Sequence, residues 1–111
     1  MKMIIAIVKP ERFPDVKNAL ADSGIKGMTV TEVKGFGKQG GHKEIFRGTE
    51  YKIDLLHKIK IEICIEDSEV KNIINIISKS AKTGGTGEIG DGKIFVIDVE
   101  KSVTIRTGET N

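Results

Sequence analysis

The chain has 111 residues, and much can be excluded from what it lacks. It has one cysteine, Cys64, so neither a disulfide framework nor a cysteine-rich metal site can be built. Tryptophan is absent, and the aromatics Phe13, Phe36, Phe46, Tyr51 and Phe95 form no stacking platform for a nucleic-acid strand. Charge of one sign is also missing: 18 Lys and Arg stand against 16 Asp and Glu, spread along the chain rather than gathered on a basic face. That balance argues against a nucleic-acid binder. No apolar run approaches the ~20 residues of a membrane span, and the start shows no secretory signal. The expectation is a cytoplasmic protein with no direct membrane insertion. Its length fits one domain, 1–111, able to bury roughly two-thirds of its unfolded surface.

What is present reads as a doubled unit. Met3 to Val8 is a continuous apolar run, expected to form a strand covered on both faces. Phe13, Val16, Ala19 and Leu20 recur at helical spacing after Pro10, and Ser23-Gly24 supplies the stop. Met28 to Val33 is β-branched and predicts a second strand. Ile59, Ile61, Ile63 and Ile65 alternate with polar residues and Cys64, a strand with one polar face; Cys64 itself is expected to be a small buried hydrophobe. Asp67-Ser68 offers a helix cap before Val70, Ile73, Ile74 and Ile77, and Lys93 to Val99 predicts a further strand. Val103 to Arg106 suggests a short strand, and 107–111 reads as a polar tail. The order β-α-β, loop, β-α-β predicts an α+β, ferredoxin-like double βαβ with a four-stranded antiparallel sheet and both helices on one face. The other face would carry exposed Ile and Val, which predicts a homo-oligomer.

The loop between the halves, 34–58, is long for a compact domain and has no core pattern, so it reads as a mobile recognition arm with an anion site at its root. Two glycine-rich segments carry lysine: Gly35-Phe36-Gly37-Lys38-Gln39 and Gly90-Asp91-Gly92-Lys93. Glycine lets backbone N–H groups approach phosphate oxygens, and lysine adds charge; neither segment is a Walker loop, and either could be an ordinary turn. Asp91 could hold a cation or a ribose, or shape a turn. His42 and His57 fall in the arm with no partner at metal spacing, and no catalytic set stands out.

Three segments carry a resemblance to a known family: 27–39 (GMTVTEVKGFGKQ), 46–51 (FRGTEY) and 86–96 (TGEIGDGKIFV), with Arg106-Thr107-Gly108-Glu109 near the end. The chain resembles PII-type nitrogen regulatory signal proteins over nearly its whole length, most closely the branch that regulates ammonium transporters. The resemblance implies a non-catalytic signal-transduction regulator of nitrogen assimilation: a homotrimer that senses the ATP/ADP ratio and 2-oxoglutarate. It acts through a T-loop, here 34–58. Thr29, Gly35, Gly37, Lys38, Gln39 and Cys64 would line one wall of a nucleotide site in the cleft between subunits. Gly90, Asp91, Gly92 and Lys93, in a phosphate loop at 82–92, would cradle the phosphates, with Arg106 reaching in from the neighbour. Mg²⁺ held by ATP and Gln39 would bind 2-oxoglutarate, with Gly41 and Lys58 beside it. Arg47 would enter the pore of an ammonium transporter, placing the protein peripherally at the inner membrane face, and Tyr51 is a possible modification site. Two departures stand out: the segment near Thr83-Gly84-Gly85 is longer than the family usually has, and Thr104 replaces a frequent arginine. Nitrogenase or a biosynthetic enzyme is an alternative target. Two rivals of other classes are an acyl-phosphate hydrolase on the same scaffold and a metal-binding trimer using His42 and His57.

Overall fold

A computed structural model describes residues 1–36 and 55–111, together with the backbone of 45–46 and 50–51. The central strand β1 (Lys2–Val8) is followed by a 3-10 turn (Pro10–Arg12) and α1 (Phe13–Asp22). Then come β2 (Thr29–Gly35), the short β3 (Ile45–Phe46) and β4 (Glu50–Tyr51), β5 (Leu56–Ile65), α2 (Val70–Ala81) and β6 (Gly92–Asp98). The main sheet has the order β2-β5-β1-β6, with every neighbouring pair antiparallel. This is the expected double βαβ of the ferredoxin-like kind.

Periodicity decides which side chains face the helices. Along β1 Ile4, Ala6 and Val8 are fully buried, and the pairing Ile4↔Ile63 and Ala6↔Ile61 continues the stripe onto β5. Helix α1 adds Val16 and Leu20, while α2 adds Ile73, Ile77 and Ala81, spaced one turn apart on a single face. Helix α1 stops where the sequence places its signal: Gly24 takes φ +88°, and the Ser23 hydroxyl donates to the Leu20 carbonyl at 2.6 Å. Ile61 is fully buried at the centre of this layer. Ile61→Ala is expected to cost about 3 kcal/mol. A urea titration would show this as a lower midpoint at unchanged slope.

Several expectations are corrected. The second face of β1 is not covered by this chain: Met3, Ile5 and Ile7 are only half-buried, and their neighbours Phe95 and Ile97 on β6 are 47% and 51% exposed. Cys64 is exposed on that same face, because the alternation that buries Ile61 and Ile63 turns it outward. Its sulfur lies 3.3 Å from that of Met1. Asp67 does not cap α2. Its carboxylate accepts from the Met1 amine at 2.6 Å, and a 3-10 turn, Asp67–Glu69, leads into the helix. The segment from Val103 forms no strand of the sheet. A bridge Val103↔Thr110 and the bond from the Thr104 amide to the Glu109 carbonyl (2.9 Å) fold it, and the expected tail, into one closed turn.

The strands also run further than the alternation suggests. Val33 pairs with Lys58, Lys34 with His57 and Gly35 with Leu56, so both ends of the 34–58 stretch belong to the sheet. Beyond them, Ile45 pairs with Tyr51 and Phe46 with Glu50 in a separate two-stranded ladder.

Candidate functional site

The residues singled out from the sequence fall into two groups at opposite ends of the sheet. At one end lie Gly35, Lys58 and the loop Gly90 to Lys93. The register explains this: Val8, the last residue of β1, pairs with Gly92, while Lys58, near the start of β5, pairs with Val33. The Lys58 ammonium donates to the Gly90 carbonyl at 2.8 Å, tying the strand that returns from the arm to the glycine loop.

The loop itself approaches β1 as closely as backbone can. A Cβ on Gly92 would stand 1.8 Å from the Ile7 carbonyl oxygen, and its φ is +121°. Gly90 also has positive φ, +99°. Only glycine fits such a path. Lys93 stands on the exposed face with its ammonium 6.0 Å from the centre of the Phe95 ring. Glycine turns with two lysine ammoniums nearby form a site suited to an anion with several oxygens.

Asp91 is the hub of this loop. It accepts from the Thr83 amide (3.0 Å), the Thr83 hydroxyl (2.5 Å) and the Glu88 amide (2.9 Å). The Lys9 ammonium lies 3.3 Å away. Partial burial works to raise its carboxyl, but the bonds from Thr83, Glu88 and Lys9 outweigh it and hold the group well below the usual carboxylate range. Lys9 shows the converse: burial disfavours its charge, while Asp91 and Glu88 more than offset this and raise it. Sequence reasoning assigned no site role to Lys9, Thr83 or Glu88. Their contacts with one another and with Asp91 join the end of β1 to a loop 74 or more residues away, which no local spacing reveals.

At the other end stand Thr29 and Cys64. Thr29 opens β2 opposite Glu62, and Cys64 lines a cleft of about 490 Å³ with Gly27, Ser102 and Asn111. Ser102 and Asn111 flank the closed turn that carries Arg106, so that turn belongs to this end; Arg106 is exposed, and the neighbouring Ile105 is 98% exposed. The length of β2 separates Thr29 from Gly35 by ~20 Å. Thr29 is thus set apart from Gly35, and Cys64 stands at the cleft beside the turn that carries Arg106. Gly37, Lys38, Gln39, Gly41, His42 and Arg47 lie outside the described residues, as does the side chain of Tyr51. His57 is exposed within β5, paired with Lys34. Among the described residues no cluster of three His, Cys, Asp or Glu could hold a metal, and no helix is long and apolar enough to cross a membrane.

Comparison with known proteins gives this arrangement its class. The sequence model of the family described as "Nitrogen regulatory protein P-II" matches residues 1–109. The chain belongs to the P-II family of nitrogen regulatory proteins. It is 55% identical over 111 residues to the nitrogen regulatory protein P-II of Pasteurella multocida, covering all of this chain and 96% of that one. Against the nitrogen regulatory protein GlnK of Escherichia coli the identity is 50%, with the same coverage. Against P-II 1 of the same bacterium it is 56% over 109 residues, 98% of this chain and 95% of that one. The chain is accordingly a signal-transduction regulator of nitrogen metabolism, as its resemblance implied.

Proposed function

We propose that the protein is a non-catalytic, cytoplasmic sensor that binds ATP or ADP between copies of itself and reports 2-oxoglutarate through the 34–58 arm. One observation carries this reading: Gly35 and the loop Gly90 to Lys93 lie at one end of the sheet, while Thr29 stands the length of β2 from Gly35 and Cys64 lines a cleft beside the turn that carries Arg106. A homotrimer in which the Gly90–Lys93 end of one copy faces the Thr29, Cys64 and Arg106 end of the next would unite them. The exposed face bearing Ile5, Phe95 and Ile97 supports the same assembly, because apolar surface of that kind is normally covered.

The residues present fit nucleotide phosphates. The loop turns through Gly90 and Gly92, both at positive φ, and Lys93 at its end supplies charge on the exposed face. Mg²⁺ would arrive with the phosphates, supplying hard octahedral coordination to oxygen ligands. Gln39 is the residue implied to hold it. The Lys58 ammonium, already at the loop, would pair a carboxylate of 2-oxoglutarate, with Gly41 on the arm beside it. Ligand bound there joins the arm's returning strand to the phosphate loop, and a ligand shifts the arm only by binding one arrangement better than another.

The target in this reading is an ammonium transporter, engaged through Arg47 at the inner membrane face, with Tyr51 available for modification. The resemblance of 46–51 to the family's arm motif supports this target, and similarity to GlnK supports the nitrogen-regulatory role behind it. Calorimetry tests the sensor itself: 2-oxoglutarate should bind at least about tenfold more tightly in the presence of ATP and Mg²⁺ than alone. Equal affinity in both conditions would remove the shared site.

A further inference from the structure

We propose that Asp91 is a positioning residue: its carboxylate closes the 83–88 segment and so sets the path of Gly90 and Gly92, without itself touching nucleotide. The proposal rests on the nucleotide reading above and concerns how the loop before β6 is held in place.

The donors are the argument. An ionised carboxylate offers about four acceptor positions. Here Thr83 fills two of them through its amide and hydroxyl, the Glu88 amide fills a third, and Lys9 lies against the same group. A ribose hydroxyl or a cation would have to displace one of these bonds. The two backbone donors bracket the 83–88 segment, Thr83 at its head and Glu88 at its foot. Between them the Gly87 amide returns to the Thr83 carbonyl at 2.9 Å, so the intervening residues leave the loop as a separate closed turn. From Glu88 onward the chain is fixed again, by the Asp91 amide bonding the Glu88 carbonyl at 3.2 Å. Gly92 then enters β6 at a point where it cannot shift toward Ile7. Without the carboxylate the bracket opens and the path of Gly90 is no longer defined. Lys9 balances the Asp91 charge, which leaves Lys93 for the phosphates.

The experiment measures ADP affinity by calorimetry on native protein, Asp91→Asn, Thr83→Val, Thr83→Ser and the double variant Asp91→Asn/Thr83→Val, at a temperature where circular dichroism shows each fully folded. Native protein should bind ADP. Asp91→Asn and Thr83→Val should each weaken it about tenfold or more, with Thr83→Ser within about twofold of native. Because both act through one bracket, the double variant should be no weaker than the worse single variant. Additive losses would mean that Asp91 meets the nucleotide directly, and that outcome overturns the proposal. So does unchanged affinity in both single variants, even if their unfolding midpoints fall, since that marks a purely structural role. If Asp91→Asn does not fold, the contrast between Thr83→Val and Thr83→Ser decides, equal affinities counting against. Native protein that binds no ADP would end the nucleotide reading and this inference together, whereas unaffected variants on a binding native protein end the inference alone.

Discussion

Gly92→Ala should be among the most damaging single substitutions in the chain, costing about 4 kcal/mol of stability and abolishing nucleotide binding. The added methyl would stand 1.8 Å from the Ile7 carbonyl oxygen and 2.9 Å from its carbon, and both are main-chain atoms of the central strand. Nothing flexible can give way. Either the Val8↔Gly92 pairing opens or the loop swings out, and the first loses sheet bonds while the second loses the phosphate cradle. Gly84→Ala is the matched control. Its φ of +63° is also left-handed, but an added Cβ meets nothing within 4 Å, so only backbone strain of roughly 1 kcal/mol is expected. Urea unfolding of the two variants should separate them by several kcal/mol; similar midpoints would mean that the close approach at Ile7 is not real.

The second large effect concerns binding rather than stability. Lys93→Ala removes a cation from the glycine-loop end, and Arg106→Ala removes one from the far end. Each substitution, made in every copy, should weaken ADP by about a hundredfold, the scale of losing one charged partner of a phosphate in a confined site. Arg106 is the more telling of the two. It is exposed, and its turn is closed between Ser102 and Asn111, which line the Cys64 cleft rather than the glycine loop. A strong effect from a residue so placed requires a second copy. If Arg106→Ala binds ADP as native protein does, the turn carrying it is not part of the site.

Much of this fold was legible in advance, for a physical reason. Buried strands and helices must present apolar residues at the period of their own geometry, and the runs from Ile59 and Val70 do so cleanly. The ends of elements were less legible, because polar residues can pair without any apolar signal. Lys34 and His57 extend β2 and β5 in this way. The misplaced helix cap has a different origin: Asp67 satisfies its carboxylate with an amine 66 residues away instead of the helix start. For the site, the glycine loops could be found by composition alone, but the Lys9, Thr83, Glu88 and Asp91 bracket could not, since its members meet only after the sheet has formed. The separation of Thr29 from Gly35 was within reach of simple arithmetic, because a strand of 7 residues is ~20 Å long.

The division of the site between two copies can be tested by mixing. Lys93→Ala and Arg106→Ala proteins, unfolded together in equal amounts and refolded, would assemble into trimers containing both kinds of chain. In a closed ring with head-to-tail contacts, every mixed trimer has one junction where an intact glycine-loop end meets an intact Arg106 end. ADP binding at near-native affinity should return to about a quarter of all sites, the share set by random assembly. Each variant refolded by itself should show none. Binding that stays at the level of the separate variants after mixing would contradict a site shared between neighbouring chains.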